Sequence, residues 1–192
     1  MTTATIARER FDTPGDAPPR RPHANTYWLL PGRLLAGEHP HPGHADGLTL
    51  RLSGLQAAGV TCCIDLTGDT EGTGVYVPLP VAGRPARRLA FAVTDFGVPT
   101  AERMRQVLDV IDAALDGNEV VYLHCRAGIG RTGTVAGCLL VEHGFAPDEA
   151  LALLQRKWRA MAKSAFVRHT PETESQRAFI VAWAPGKGRS GA

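Results

Sequence analysis

The sequence predicts an α/β fold, a three-layer domain in which helices flank a largely parallel central sheet. Strand-like apolar runs alternate with helical patterns along the chain, which is typical of layered α/β domains. The clearest run, residues 119–123, is followed by a glycine-rich turn and then a helical pattern. The chain has 192 residues, of which 44% are hydrophobic, enough for one compact core and short for two domains.

Six strand-like runs are rich in apolar, β-branched or aromatic residues. They cover residues 27–30, 34–36, 60–66, 76–79, 89–93 and 119–123. Apolar residues spaced three and four apart predict a helix carrying Met104, Val107, Leu108, Ile111 and Leu115. Further helices are expected from Thr132 onward and after Pro147, the latter with Leu151, Leu154, Trp158 and Met161 on one face.

The ends of the chain differ in composition from the middle. Residues 1–24 are rich in proline and charge, and residues 185–192 consist mostly of Gly, Lys, Arg and Ser. We therefore expect a flexible N-terminal segment over residues 1–24, one folded domain over residues 25–184 and a flexible tail over residues 185–192.

Charge and hydropathy argue against a nucleic-acid-binding, membrane-spanning or secreted protein. A net charge of +2 is too small to suggest nucleic-acid binding, and no apolar run has the length of a membrane span or a signal-peptide core. Four cysteines do not make a disulfide framework in a chain of this size. A reactive thiol favours a reducing compartment, so the expected location is the cytoplasm.

The chemistry is concentrated in residues 125–131, which we call the cysteine loop. Gly128 and Gly130 allow a sharp turn in which several N–H groups converge on an oxyanion at the start of the next helix. Arg131 adds a planar fork that matches two phosphate oxygens. Cations and a helix N-terminus also favour the thiolate of Cys125. The pattern indicates a phosphate site with a nucleophile at its base.

The run His124-Cys125, five residues, Arg131-Thr132 resembles the signature of cysteine-dependent protein tyrosine phosphatases, in their dual-specificity-like bacterial branch. The loop also has the family's small residues at Ala127, Gly128, Gly130 and Gly133. The alternative is an ordinary buried cysteine beside a glycine turn. The strand–turn–helix context favours the phosphatase interpretation.

The resemblance implies the phosphotyrosine protein phosphatase fold over about residues 25–184 and catalysis through a phosphocysteine, without metal or cofactor. Cys125 would be the nucleophile, Arg131 would bind phosphate, Thr132 would offer its hydroxyl to the sulfur, and His124 would orient the cysteine. The loop residues expected to bind substrate are Arg126, Ala127, Gly128, Ile129 and Gly130.

Asp95 is the candidate general acid. The stretch Asp95-Phe96-Gly97-Val98-Pro99, called the acid loop here, is similar to the family's Asp-X-Gly-X-Pro acid loop. The tyrosine-specific branch has Trp-Pro before this aspartate, where this chain has Val93-Thr94. The resemblance therefore implies a loop closure that depends less on an aromatic hinge, as in the dual-specificity branch. The alternative for Asp95 is a carboxylate that starts a turn.

A helix start is predicted where Thr170 would be the N-cap and Pro171 the first helical residue. The run Pro-Glu-Thr-X-X-Gln that ends at Gln176 is similar to one in some bacterial members of the family. In other branches a glutamine positions the hydrolytic water. Gln176 is therefore a candidate substrate-binding residue, with a solvated helix residue as the alternative.

The expected function is hydrolysis of phosphotyrosine or phosphoserine/threonine in proteins. Arg126 adds a cation that would suit a more anionic substrate, so phosphoinositides, inositol polyphosphates or another small anionic phosphate ester are the alternative. Ile129 is apolar where the best-known lipid-directed loop has a lysine. A non-catalytic phosphate-binding module is a further alternative, disfavoured because both Cys125 and Asp95 are present.

Other residues have weaker signals. His39, His41 and His44 could suggest a metal site, but intervening prolines favour a surface loop on the rim of the active site. Cys62 and Cys63 favour buried packing, with a disulfide to oxidised Cys125 as the alternative. A small basic cluster is predicted to be an exposed turn, or to attract anionic substrates, at Arg84, Arg87 and Arg88.

Overall fold

A five-stranded mixed sheet forms the centre of the domain. The computed structural model describes residues 6–12, 19–42 and 45–189. The strands are β1 (Thr26–Leu30), β2 (Leu34–Glu38), β3 (Val60–Asp65), β4 (Arg87–Ala90) and β5 (Val120–Cys125). Their spatial order is β1-β2-β5-β3-β4. Only the β1–β2 pair is antiparallel among these described strands, so the prediction of a largely parallel sheet is confirmed.

Helices cover both faces of the sheet. They are α1 (Glu9–Asp12), α2 (Ala45–Ala57), α3 (Ala101–Asp116), α4 (Gly130–Glu142), α5 (Pro147–Trp158) and α6 (Glu174–Val181). Leu52 and Leu55 of α2 pack with Tyr122 on one face, whereas Leu108 of α3 and Leu139 of α4 belong to the larger core on the other. The three-layer prediction is confirmed. None of the described helices has the length and apolar character needed to cross a membrane.

Strand β5 positions the cysteine loop. It lies between the parallel strands β2 and β3, and Glu38 and Cys125 are register partners where β2 and β5 end. Asp65, at the end of β3, is the partner of His124. Because the carboxyl ends of parallel strands meet at one edge, these side chains gather where open α/β sheets bind ligands.

The prediction of a strand over residues 76–79 is wrong. This segment is irregular, although it alternates as a strand would, with Tyr76 buried and Val75 and Val77 exposed. Pro78 and Pro80 lack the N–H groups that a ladder needs. The run predicted over residues 89–93 is a strand only to Ala90, and its backbone continues alongside β3 through a bond from Phe91 N to Asp65 O at 2.7 Å.

Both segments expected to be flexible contain packed residues. Phe11 is fully buried against Phe145, with ring centroids 6.0 Å apart, and Gly186 N donates to Glu142 at 3.2 Å. An apolar ring and backbone contacts therefore anchor parts of both ends to the domain.

The start of α6 differs from the prediction. Its N-cap is Thr173, whose hydroxyl accepts from Gln176 N at 3.2 Å, and the helix begins at Glu174. The Thr170 hydroxyl instead donates a hydrogen bond to Ile129 O at 2.8 Å. Thr170 therefore binds the cysteine loop and does not cap α6.

Candidate active site

The cysteine loop is tightly packed around Cys125. The thiol is buried at the end of β5, and Gly128 N donates to its Sγ at 3.3 Å. Gly128 has φ +75°, and a Cβ there would lie 2.4 Å from the carbonyl carbon of Gly37. Glycine is required at this position because the φ angle is positive and because a side chain would clash with the backbone of Gly37.

Arg131 connects the cysteine loop with three other segments. It lies in the first turn of α4 with only 2% of its side chain exposed. Its Nη1 donates to Val93 O at 3.0 Å and to Leu66 O at 3.3 Å. Its Nη2 donates to Glu71 Oε2 and to Asp95 Oδ1, both at 2.8 Å. The guanidinium is therefore fixed in orientation beside the loop.

Glu71 is a partner of Arg131 that could not be recognised from the sequence. It ends the 3₁₀ turn Asp69–Glu71 after β3 and pairs with both terminal nitrogens of Arg131. Burial alone would raise the pKa of Glu71, but hydrogen bonds from Arg131 and from the Gly68 N–H hold it below its usual value. The acidic stretch between Gly68 and Gly72 is a signal only once Arg131 is known to lie nearby.

The acid loop meets the cysteine loop at the same guanidinium. Asp95 is the partly exposed member of this group, with 45% of its side chain accessible. Its Oδ1 accepts from Arg131 Nη2 and from Phe96 N at 3.1 Å. The structure thus brings together the candidate nucleophile, the candidate phosphate ligand and the candidate acid.

His124 lies behind the nucleophile in a polar layer of its own. Its Nε2 is 2.6 Å from the Tyr76 hydroxyl, and its Nδ1 is 3.4 Å from Cys125 O and 3.8 Å from Asp65 Oδ1. Burial lowers the pKa of His124 to about 4, so the ring is neutral at pH 7. Thr132 is also fully buried, and its Oγ1 has no hydrogen-bond partner among the described residues.

His39 contradicts the prediction of a surface loop. Its ring is 2% exposed, and its backbone N–H donates to Arg126 O at 3.1 Å, because the chain leaving β2 packs under the cysteine loop. His41 does lie on the rim, where it lines the cavity described below. His44 lies outside the described residues.

A possible metal-ligand set is buried at the end of β3. One donor atom from each of His39, Asp65 and His124 lies within 4.8 Å of the others. However, Arg88 Nε already donates to Asp65 Oδ2 at 2.8 Å, and a cation at this carboxylate would face that guanidinium. The arrangement therefore suits a hydrogen-bonded ion pair better than a metal ion.

Gln176 is fully buried, so the alternative of a solvated helix residue is wrong. Its Oε1 accepts from Thr173 N at 3.1 Å and its Nε2 donates to Gly97 O at 3.1 Å. A Cβ at Gly130 would lie 2.7 Å from this amide. Gln176 thus contacts both the acid loop and the cysteine loop, and its role in binding substrate stays a prediction.

The redox alternative for Cys62 and Cys63 is excluded by the register of the sheet. Cys62 is the partner of Val121, which places it about 13 Å from Cys125 along the strand direction, beyond disulfide reach. Cys63 faces the opposite side of the sheet, in the smaller core. Burial raises the pKa of both thiols, for Cys63 to about 12.

Two of the three arginines in the predicted basic turn form ion pairs. Arg88 pairs with Asp65, and Arg87 pairs with Glu119 at 2.6 Å. Arg84 is exposed, as predicted.

An open cavity of about 850 Å³ lies above the cysteine loop. Its lining includes the loop residues Arg126 and Ala127, the acid-loop residues Asp95 and Phe96, and also Lys163 and Glu172. The cavity is therefore bordered by both the cysteine loop and the acid loop.

Fold and site together define a domain of the cysteine-dependent tyrosine and dual-specificity phosphatase class. The chain belongs to the family of Swiss Army Knife proteins with a DSP-PTPase phosphatase domain, whose model matches residues 23–180. It is 29% identical over 136 residues to the dual specificity protein phosphatase CDC14AB of Danio rerio, a match that covers 67% of this chain and 21% of that protein. It spans 54% of the length of a relative from Invertebrate iridescent virus 3.

Solved structures share the fold. Tk-PTP in the active form has a TM-score of 0.60 and 22% identity, with coverage of 81% of this chain and 93% of that one. PTPMT1 in complex with PI(5)P has a TM-score of 0.54 and 22% identity, with coverage of 78% and 88%. The resemblance to the phosphatase superfamily inferred from the cysteine loop is confirmed.

Proposed function

We propose that this protein is a phosphoprotein phosphatase that hydrolyses phosphate monoesters through a phosphocysteine intermediate. One observation carries the proposal: the Arg131 guanidinium lies at the junction of the cysteine loop and the acid loop, hydrogen-bonded to Asp95 at 2.8 Å. A nucleophile, a phosphate ligand and an acid are thereby within one site.

In the first step the Cys125 thiolate attacks phosphorus. An S–P bond forms and the P–O bond to the leaving group breaks, while Asp95 donates a proton to the departing oxygen. Arg131 and the N–H groups of the cysteine loop stabilise the charge on the equatorial oxygens. The burial of Arg131 strengthens this interaction, because little water competes for the guanidinium.

In the second step water attacks the phosphocysteine. Asp95 accepts a proton from that water, the S–P bond breaks, and inorganic phosphate leaves with regeneration of the thiolate. The buried Thr132 hydroxyl, which lacks another partner among the described residues, is suited to donate to the departing sulfur.

The proposed substrates are phosphotyrosine and phosphoserine/threonine proteins, in a reducing, cytoplasmic setting that keeps Cys125 as a thiol. The open cleft and the exposed Phe96 on its wall suit a peptide chain. A phosphoinositide is the second candidate, favoured by Arg126 at the cleft wall and by the lipid complex of the neighbour PTPMT1.

Phosphate release from four matched substrates tests the proposal. These are a phosphotyrosine peptide, a phosphothreonine peptide, PI(5)P in mixed micelles and inositol hexakisphosphate, with Cys125→Ser as the blank. We expect metal-independent, vanadate-sensitive release from at least one peptide. Release from the lipid alone would favour the second candidate, and release from none above the blank would contradict the proposed activity.

A further inference from the structure

Residues 183–188, which we call the C-terminal clamp, pack on the first turn of α3. Gly188 has φ +82°, and a Cβ there would lie 2.4 Å from Ala101 O and 3.1 Å from Arg105 Cβ. Ala101 is the first residue of α3, and a single residue separates it from the acid loop. The backbone of the clamp therefore lies directly against the helix turn into which the acid loop leads.

Glu142, the last residue of α4, holds the clamp in place. Its carboxylate accepts from Trp183 Nε1 at 2.8 Å and from Gly186 N at 3.2 Å, and it pairs with Arg105 Nη1 at 2.8 Å. The Trp183 side chain is buried, and the guanidinium carbon of Arg105 lies 6.0 Å from the centre of its ring. One carboxylate thus joins the clamp to the end of α4 and to the start of α3.

The helix that precedes the clamp holds the middle of the acid loop. Gln176, in the first turn of α6, donates from Nε2 to Gly97 O at 3.1 Å, and its Oε1 accepts from two backbone N–H groups at the start of α6. Helix α6 ends at Val181, just before the clamp. One continuous stretch of chain therefore contacts the acid loop at Gly97 and the helix that follows the loop at Ala101.

These contacts matter because the position of Asp95 depends on the backbone of the acid loop. Its side chain is 45% exposed, and among the described residues its carboxylate accepts from one group outside the loop, Arg131 Nη2. A general acid must lie within hydrogen-bond reach of the leaving oxygen, and a misplacement of about 1 Å can cost about 100-fold in rate. Whatever fixes the two ends of the acid loop therefore sets the reach of the acid.

We infer that the C-terminal clamp is a positioning element for the general acid: it holds the first turn of α3 and so fixes the end of the acid loop opposite Asp95. The inference rests on the proposed function and adds to it residues that touch neither the substrate nor the nucleophile. The clamp acts on the protonation of the leaving group. Phosphate binding, which uses Arg131 and the cysteine loop, does not depend on it.

Two glycines of the clamp provide a matched pair of variants. Gly188→Ala adds a methyl group against Ala101 O, whereas at Gly186, with φ +78°, a Cβ meets nothing within 4 Å. Both alanines carry the same cost of a positive φ, so the contact with α3 is what distinguishes them.

The readout is kcat/KM, which reports formation of the phosphocysteine, on two substrates with different leaving groups. On a phosphotyrosine peptide, a poor leaving group, we expect Gly188→Ala to lower kcat/KM roughly tenfold. On an aryl phosphate with an acidic leaving group, which needs no proton, the change should stay below about twofold. The inhibition constant of inorganic phosphate should stay at the wild-type value, and Gly186→Ala should match the wild type in all three measurements.

A double-mutant cycle shows whether the effect passes through the acid. In an Asp95→Asn background, Gly188→Ala should cause no further loss, because the group that the clamp positions is already absent. A loss that persists in that background, that is equal on the two substrates, or that Gly186→Ala shares would overturn the clamp and leave the proposed function intact. If Gly188→Ala fails to fold, Glu142→Gln, which removes the charge paired with Arg105, should show the same dependence on the leaving group.

Hydrogen exchange tests the clamp independently of turnover. If the wild type hydrolyses neither substrate, the proposed function fails, and amide exchange over residues 96–101 then decides the clamp. We expect faster exchange in Gly188→Ala than in Gly186→Ala or the wild type, because the end of the acid loop is no longer held. The same exchange in all three proteins would overturn the inference.

Discussion

Arg131 Nη2 donates a hydrogen bond to Asp95 Oδ1 at 2.8 Å, although the two residues lie 36 positions apart in the chain. In the proposed mechanism the bound phosphate and Asp95 would use the same guanidinium, which would couple substrate binding to the position of the acid. Asp95 has the exposure needed to move toward a leaving oxygen, whereas Arg131 is fixed by Val93 O, Leu66 O and Glu71.

Replacement of the acid should slow the step that expels the leaving group. For Asp95→Asn we expect kcat on a phosphotyrosine peptide to fall by about 10²- to 10⁴-fold with little change in KM, because asparagine cannot supply the proton. The loss should be smaller on an aryl phosphate whose leaving group is already acidic. Equal kcat for the variant and the wild type on a poor leaving group would reject Asp95 as the acid.

The Glu71–Arg131 pair should govern how well phosphate is held. Glu71→Gln replaces a charged two-point contact by a neutral one, so we expect kcat/KM to fall roughly 10-fold and the free energy of unfolding to fall by about 1–3 kcal/mol. Steady-state kinetics, phosphate inhibition and denaturant titration measure both effects. Asp69→Asn, an exposed change in the same turn, is the control. Wild-type values for Glu71→Gln in both assays would show that Arg131 is oriented without this partner.

Alanine substitutions at two glycines with the same backbone conformation distinguish the cost of a positive φ from the cost of a steric clash. Gly128 and Gly83 have φ +75° and +77°, but a Cβ at Gly83 meets nothing within 4 Å, whereas one at Gly128 lies 2.4 Å from Gly37. We expect Gly83→Ala to cost about 1 kcal/mol in the free energy of unfolding. Gly128→Ala should cost several times more and abolish phosphate binding. Similar costs for the two variants would mean that the cysteine loop relaxes around a methyl group.

The buried imidazole behind the nucleophile should make the fold sensitive to acid. The ordinary pKa of histidine is 6.5, and burial lowers that of His124 to about 4 in the folded state, with Asp65 opposing the shift and His39 and Arg88 adding to it. Between these values the unfolded chain binds a proton that the folded chain does not. The free energy of unfolding should therefore fall as the pH drops from 7 to 5, with roughly 2 kcal/mol of the loss due to His124.

Denaturant titrations at both pH values measure this loss. His23 contributes in the same direction, since burial lowers its pKa to about 4 as well. His124→Asn should therefore reduce the pH dependence without removing it. The same pH dependence in His124→Asn and the wild type would contradict a neutral His124.

The cysteine loop could be predicted because its signal is local: an apolar strand, a turn that needs glycine at position 128, and a helix, all within one stretch of sequence. The acid loop followed from its own motif. Glu71, in contrast, has meaning only through a contact with Arg131, 60 positions away. Likewise, the alternation around Tyr76 is that of a strand, but prolines remove the ladder and the tyrosine packs on His124. Both residues depend on contacts with side chains distant in sequence, and the spacing of residues along the chain does not reveal such contacts.

The burial of His39 also depends on a contact that is distant in sequence. The prolines that follow His39 predict a loop, and His39 does lie in a loop. That loop is buried because it packs against the cysteine loop, where His39 N donates to Arg126 O. Glu38 and Lys163 were also missed, because their interaction joins the end of β2 to a turn far along the chain.

Rapid acid quench of the enzyme during turnover of a phosphorylated substrate, followed by mass spectrometry of the peptide that contains Cys125, tests the central claim most directly. We expect one phosphoryl group on Cys125 in the wild type, and in Cys125→Ser neither the modification nor turnover, with phosphate binding retained. Turnover at the wild-type rate by Cys125→Ser, or a phosphoryl group trapped on a different residue, would contradict the phosphocysteine mechanism.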